Sequence, residues 1–328
     1  MMWQELSKCD KVLLTQHLPR SKIVSNELKV GIVGFDTSHV GAFTKLLNDA
    51  SDPHHIPGAK VTIGFPSFSA DLESSYSRVE GYTKDMQEKF GVKIVQSVEE
   101  VLAECDAVLL ESVDGRRHLA EAKPIFESGK SSFIDKPLAA NYKESAEIFE
   151  LAKQHNARFF TSSSLRFDTN IVALKNDESL GEVRGCDAFS PASLDPTNPG
   201  LFWYGVHGVE ILYTYMGQGC ISLNCEVTDK FHVVTAKWAD GRVGTMRGTR
   251  GGAAGYGVTV FGEKNIAQAR MSTEIPLYST LLRQIVPFFQ GGPAPVEPAE
   301  SLEMMAFMQA ALLSENEKRE VKLSEITG

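Results

Sequence analysis

Leu28-Lys-Val-Gly-Ile-Val33 is a short, largely apolar run closed by Gly34, the form of a parallel strand buried on both faces. Val40, Phe43 and Leu47 follow at helical spacing. Val61 to Phe65 reads as a second strand, and Ser97-Val-Glu-Glu100 as a capping box opening a short helix through Leu102. Ala107 to Leu110 is a further buried strand, and His118 to Ser128 a helix stopped by Gly129. Phe133-Ile134 runs into Asp135-Lys136-Pro137, after which Tyr142, Ala146, Phe149 and Ala152 share one helical face. Strand and helix in alternation predict a parallel, right-handed, doubly wound α/β sheet.

The second half changes texture. Val183 to Phe189, Val233 to Trp238, Arg242 to Arg247 and Gly257 to Phe261 read as strands, and Asp240-Gly241 is a hairpin signal between the middle pair. A mainly antiparallel sheet in an α+β second domain is expected, with helices near Gly205–Met216 and at the C-terminal end. Pro191 to Gly200 predicts a loop over the site, and Gly291 to Pro295 a turn between terminal helices.

Composition narrows the function classes. The chain has 328 residues, 42% hydrophobic and 23% charged, enough for two domains. A formal charge of −9 argues against nucleic acid or an anionic membrane as the main partner, while leaving room for a local cationic pocket. No apolar run approaches the roughly 20 residues of a membrane-spanning helix. Residues 1–27 carry scattered charges and only Val12-Leu13-Leu14 as an apolar run, unlike a signal peptide. The five cysteines (Cys9, Cys105, Cys186, Cys220, Cys225) are widely spaced and lack a metal-ligand pattern, as expected of reduced thiols in a cytoplasmic protein.

Lys136 concentrates the candidate chemistry. It directly follows a predicted strand, at the carboxyl end of a sheet whose crevice is where such sheets hold ligands. Pro137 restrains the chain beside it. Taken alone, a Lys-Pro pair would be a turn with a solvated lysine.

An ordered set of segments then resembles the glucose–fructose oxidoreductase, inositol dehydrogenase and rhizopine-catabolism group, the Gfo/Idh/MocA family. Its carriers are His118-Leu-Ala-Glu-Ala, Glu127-Ser-Gly-Lys130, Ile134-Asp-Lys-Pro-Leu138, Leu165-Arg-Phe-Asp168, Leu180-Gly-Glu-Val183, Tyr204-Gly-Val-His207 and Ala239-Asp-Gly-Arg-Val-Gly-Thr245. The resemblance runs from about Leu28 to the C-terminus. It implies an N-terminal extension over 1–27, a Rossmann dinucleotide-binding domain over 28–150, and a substrate and oligomerisation domain over 151–328 whose terminal helices can pack back on the first. It implies an NAD(P)-dependent dehydrogenase acting on a CH–OH group of a sugar, polyol or derivative, working as a homo-oligomer (dimer or tetramer) through the C-terminal sheet. Lys136 and His207 would be catalytic. Gly34, Phe35, Asp36, Thr37, Ser38, His39, Glu111, Ser112, His118, Asp135 and Arg166 would lie at the cofactor, with His118 orienting a loop. Trp203, Tyr204, Glu210 and Asp168 would lie at the substrate.

Three departures qualify this pattern. In the phosphate loop, Gly34-Phe-Asp-Thr-Ser-His39 keeps only the first glycine of G-x-G-x-x-G/A. Asp36 would repel a pyrophosphate unless it turns away to cap the helix, and capping with cofactor binding retained is expected; the alternative is a pocket for a metal or a substrate polar group. At the ribose position, Pro66-Ser-Phe-Ser69 follows the second strand, so NAD and NADP stay undecided. Arg78 either meets a 2′-phosphate or pairs with Glu80 or Asp85 at the surface. At the catalytic helix, the family's Asp and His stand four apart, and here Trp203 replaces the aspartate four before His207. Glu210 could then orient the imidazole.

In the expected mechanism His207, with a pKa suited to neutral pH, accepts the hydroxyl proton while Lys136 polarises the oxygen. Lys136 as the base is the variant. Arg166 binds cofactor or substrate hydroxyls or pairs with Asp168. Two other classes stay open, an NAD-recycling hydrolase or lyase with transient oxidation and a non-catalytic sugar or nucleotide sensor. No metal is assigned; a site built from His207, Glu210 and a loop acid such as Asp195 is the variant, carried only by His-x-x-Glu spacing.

Overall fold

The odd and even residues of Leu28–Val33 enter two different cores. Val30 and Ile32 pack on one side of the strand and Val33 on the other, as the two-residue period of a strand buried on both faces requires. The computed structural model describes residues 27–328, so the expectation for residues 1–27 lies outside the described residues except for Glu27. The first sheet is built from β1 (Leu28–Val33), β2 (Ala59–Phe65), β3 (Lys93–Ile94), β4 (Ala107–Leu110), β5 (Ser131–Ile134) and β6 (Phe159–Thr161), in the order β3-β2-β1-β4-β5-β6. Every pairing in it is parallel. This is the doubly wound order in which the strand order, not the strand direction, reverses between β1 and β4, the place where such sheets bind ligands. β6 lies beyond the boundary expected at residue 150, so the first sheet extends that far.

Helices α1 (His39–Asn48), α2 (Glu73–Tyr76), α3 (Val79–Phe90), α4 (Val98–Leu102), α5 (Gly115–Glu127) and α6 (Tyr142–Gln154) cover the sheet. Ser97 caps α4 by accepting from the Glu100 amide, as its spacing predicts. After a 3-10 turn (Ser164–Phe167) and α7 (Thr169–Lys175) the chain enters the second sheet. Its strands are β7 (Val183–Pro191), β8 (Cys220–Thr228), β9 (Phe231–Trp238), β10 (Val243–Thr249), β11 (Gly257–Gly262), β12 (Ile266–Arg270) and β13 (Val321–Lys322), in the order β12-β11-β7-β10-β9-β8-β13. All pairings are antiparallel except β7 with β10.

The remaining α-helices are α8 (Val206–Met216), α9 (Leu277–Phe289), α10 (Pro298–Glu317) and the short α11 (Ser324–Thr327). Leu281, Leu282, Ile285 and Phe288 of α9 join Val30, Phe43 and Leu109 in one core, so α9 packs on the first sheet. β8 and β12 escape the sequence pattern for physical reasons. A bulge between Cys220 and Ser222 shifts the phase of β8. β12 is a five-residue edge strand whose one large apolar side chain, Ile266, is exposed. At the other edge, β13 pairs with Ser222 and Leu223, and the Cys225 amide donates to Ser314 Oγ at 3.0 Å. Among the described residues no helix is long and apolar enough to cross a membrane.

Candidate active site

Two backbone hydrogen bonds carry the parallel ladder one step past the ends of β4 and β5. Glu111 N–H donates to Val33 O at 2.7 Å, and Asp135 N–H donates to Leu110 O at 2.9 Å. Both carboxylates are thereby planted at the carboxyl edge of the sheet, fully buried. His39, the first residue of α1, sits against them, its Nδ1 3.1 Å from Glu111 Oε2 and 3.1 Å from Asp135 Oδ2. Its ring stacks on Phe43 at 5.3 Å and meets the edge of Tyr278 at 4.6 Å between centroids. Lys136 Nζ lies 3.3 Å from Asp135 Oδ2.

The charges in this cluster follow from competition between burial and neighbours. Burial alone would lower the pKa of His39, but Asp135 and Glu111 outweigh it and raise it to about 10. Burial raises that of Glu111 to about 7 against the opposing pull of His39. Burial would raise that of Asp135, but His39 and Lys136 hold it well below the ordinary range. For Lys136 burial opposes the charge, and Asp135 reverses the balance, so that its pKa is raised and the ammonium persists.

A pocket of about 310 Å³ opens beside this cluster, lined by Thr37, Ser38 and His39 on one side and by Lys136, Trp203, Tyr204, His207, Tyr256 and Tyr278 on the other. His207 belongs to the first turn of α8 and enters a chain of aromatic edges, 5.7 Å from Tyr204 and 5.6 Å from Tyr256. Its Nδ1 is 2.7 Å from Ser163 Oγ. That hydroxyl oxygen accepts the Leu165 amide at 3.3 Å and keeps its proton available to donate to Nδ1, the arrangement in which the imidazole proton sits on Nε2. The neutral-range pKa expected of His207 is not what the site gives. Burial, reinforced by Lys136, lowers it to about 3, and the ring is neutral.

Residues 28–163 match the sequence model of the Gfo/Idh/MocA oxidoreductase family, described by its NAD-binding Rossmann fold. A curated relative, an uncharacterized oxidoreductase of Streptococcus pneumoniae, is 23% identical over 164 residues, covering 48% of this chain and only 39% of that protein. Among solved structures, GenD2 from gentamicin A biosynthesis, in complex with NAD, is similar with TM-score 0.74 and 18% identity over 93% of this chain and 99% of that one. Scyllo-inositol dehydrogenase from Lactobacillus casei, with bound NAD(H) and scyllo-inositol, gives TM-score 0.71 and 15% identity over 91% and 100%. Myo-inositol 2-dehydrogenase from Lactobacillus plantarum gives 0.74 and 14% over 90% and 99%. These likenesses establish a shared fold across both sheets.

The family's NAD-binding fold can be tested against the residues at the loop. Gly34 has φ +91°, and a Cβ there would stand 2.3 Å from the Ser112 amide nitrogen, so the tight turn demands glycine. Asp36 turns away from the loop, but not to cap α1. Its Oδ1 accepts from the Val113 amide at 2.9 Å and its Oδ2 from Ser75 Oγ at 2.6 Å, and burial raises its pKa. Ser38 precedes α1 without forming a side-chain cap, leaving first-turn amides free for an anion. Where a ribose carboxylate would stand, Ser67 bonds to Glu121, and Asp71 is held 2.8 Å from Arg116. Arg78 pairs with neither Glu80 nor Asp85; it bonds to the Ser74 carbonyl and lines the pocket. The residues fit a dinucleotide at the loop and pocket end, and among the described residues the acids next to the ribose position, Asp71 and Glu121, are both engaged.

The other expected site residues have structural work. Phe35 is buried against Gly64, and Ser112 Oγ donates to Glu121 at 2.7 Å. His118 spans the Ser112 and Leu138 carbonyls at 2.7 and 3.1 Å, tying the two loops together. Glu210 does not orient His207: its carboxylate accepts from the Ser163 amide at 2.8 Å and from Arg166 Nε at 2.6 Å. Arg166 pairs with Glu210 and Glu300, not with Asp168. Asp168 caps α7 and accepts from the Ser272 amide. Trp203 precedes α8, so it is not a helical neighbour of His207. Asp195 is engaged in its own turn with Thr197, so the His207, Glu210 and Asp195 set is not assembled. Ser163, Tyr256 and Tyr278 carry no local sequence signal; only folding brings them here.

Proposed function

We propose that the chain is an NAD(P)-dependent oxidoreductase interconverting a secondary alcohol and a ketone of a sugar, polyol or related molecule. The observation that carries this reading is the convergence of Lys136, from the end of β5, with Tyr204 and His207, from the turn that opens α8, on one pocket. A bound nicotinamide supplies or takes the hydride. Lys136, kept as an ammonium by Asp135, donates to the substrate oxygen and stabilises its alkoxide character. His207, neutral with its proton on Nε2, adds a second donor to the same oxygen. Both groups are thus poised for carbonyl reduction, with Lys136 giving up the proton, and the reverse reaction begins with Lys136 deprotonated. Trp203 and Tyr204, 6.1 Å apart, offer apolar faces to a sugar ring. Cytoplasmic location and a homo-oligomer through the second sheet accompany this reading; Val243 and Ile266, 47% and 62% exposed on that sheet, support the latter.

The test is titration of the purified protein with NADH and NADPH, followed by turnover on a panel of polyols and their ketones. Lys136→Ala and His207→Ala should each lower kcat/KM by about 10²–10⁴-fold with nucleotide affinity retained. A folded protein that binds neither dinucleotide, or variants that both turn over like the parent, ends the proposal.

A further inference from the structure

The proposed mechanism leaves Glu111 and His39 without a chemical task. Their side chains and that of Asp135 each place a ligand-type atom within 4.8 Å of the others, and all three residues are buried. His39 Nδ1 stands 3.1 Å from an oxygen of each acid. Ligands at about 2.1 Å from one ion, at tetrahedral or octahedral angles, are separated by roughly 3.0–3.4 Å. A second observation is independent of that clustering. Glu111 Oε1, Asp135 Oδ1 and Asp135 Oδ2 are buried without a hydrogen-bond partner among the described residues. Asp135 Oδ2 has only ion-pair contacts, to His39 and Lys136, whose geometry falls short of a hydrogen bond. Buried carboxylate oxygens are ordinarily satisfied by donors, water or a cation. Asp36, the acid in the phosphate loop, takes no part because its oxygens are already engaged.

We propose that His39, Glu111 and Asp135 form a divalent-metal site beneath the pocket. One imidazole nitrogen and two carboxylate oxygens suit Zn²⁺, Mn²⁺ or Fe²⁺, whereas Mg²⁺ and Ca²⁺ prefer oxygen alone. His39 also lines the pocket, so a further ligand arrives from that side, as water or as an oxygen of a bound hydroxyl or phosphate. None of this depends on the dehydrogenase reading.

The experiment uses chelator-treated full-length protein titrated with Mn²⁺, with free Mn²⁺ counted by electron paramagnetic resonance and Zn²⁺ as competitor. One ion per chain is expected, with Mg²⁺ unable to displace it at equal concentration. Glu111→Gln and Asp135→Asn, each checked for folding by circular dichroism, should weaken binding by more than about 100-fold, beyond the roughly 10–100-fold typical of partners outside the ligand set. For a variant that misfolds, the bound ion in the parent protein gives the answer through nitrogen hyperfine coupling from one imidazole. No stoichiometric Mn²⁺ or Zn²⁺ binding by folded protein, an ion without imidazole coupling, or equal affinity in folded Glu111→Gln would overturn the site.

Discussion

Replacing Arg166 by methionine separates a structural arginine from a ligand-binding one. Its guanidinium joins Glu210 and Glu300, at 2.6 Å each, and is 9% exposed. Glu210 is buried to 3% and its other oxygen accepts the Ser163 amide at 2.8 Å. Removing one partner of a buried ion pair typically costs about 3–5 kcal/mol, because the remaining charge is stranded. Glu300, 18% exposed, can turn toward water, and Glu210 keeps its amide donor, so about 3 kcal/mol, the low end of that range, is expected. Urea unfolding followed by fluorescence of Trp238, which packs against Tyr213 of α8, reads the loss. Adding Glu210→Leu should recover part of it, since the more deeply buried of the two stranded carboxylates is then gone. Nucleotide affinity should be unchanged. A stability loss below about 1 kcal/mol, the level of exposed pairs, or a selective loss of nucleotide binding with stability intact, would refute the reasoning.

Two further predictions concern the loop and the imidazole. Asp36→Ala strands the buried Val113 amide and Ser75 hydroxyl and should cost about 2–3 kcal/mol in urea unfolding, with Asp36→Asn milder; a marked gain in nucleotide affinity instead would mean that the carboxylate faces the phosphates. For His207, burial and Lys136 hold the folded pKa at about 3 against an ordinary 6.5. The unfolded chain therefore binds this proton first as pH falls, and the stability tied to the neutral ring is full above about pH 6.5 and is lost toward about pH 3. Unfolding midpoints between pH 7 and 5 should fall less steeply in His207→Gln than in the parent, and parallel curves would contradict a neutral imidazole.

The parallel sheet was legible because strands buried on both faces write continuous apolar runs, as Ala107–Leu110 does, and because Gly34 and Gly129 punctuate them. The second sheet was less so: a bulge displaces the phase of β8, and the parallel β7–β10 pairing is invisible to a local pattern. Lys136 could be placed from its position after a strand. The partners of Glu210 and Arg166 could not, because each side chain has several acids, bases or amides within reach and only packing selects among them. Asp36 was legible as a misfit in the phosphate loop, but its solution was not, since the Val113 amide and Ser75 lie 77 and 39 residues away. The His39, Glu111 and Asp135 cluster draws on three separate elements and leaves no spacing motif.

β13 and the end of α10 give the second sheet a guarded border. Without them, β8 would present a row of unpaired amides and carbonyls, the template on which another chain adds a strand. Val321 and Lys322 occupy that template opposite Leu223 and Ser222, and Ser314 takes the Cys225 amide while donating to the Arg319 carbonyl at 2.6 Å. The segment from Ser314 to Lys322 therefore acts as a built-in decoy strand, and clipping it would convert a closed margin into an adhesive one, favouring edge-to-edge aggregation over any chemistry at the distant pocket.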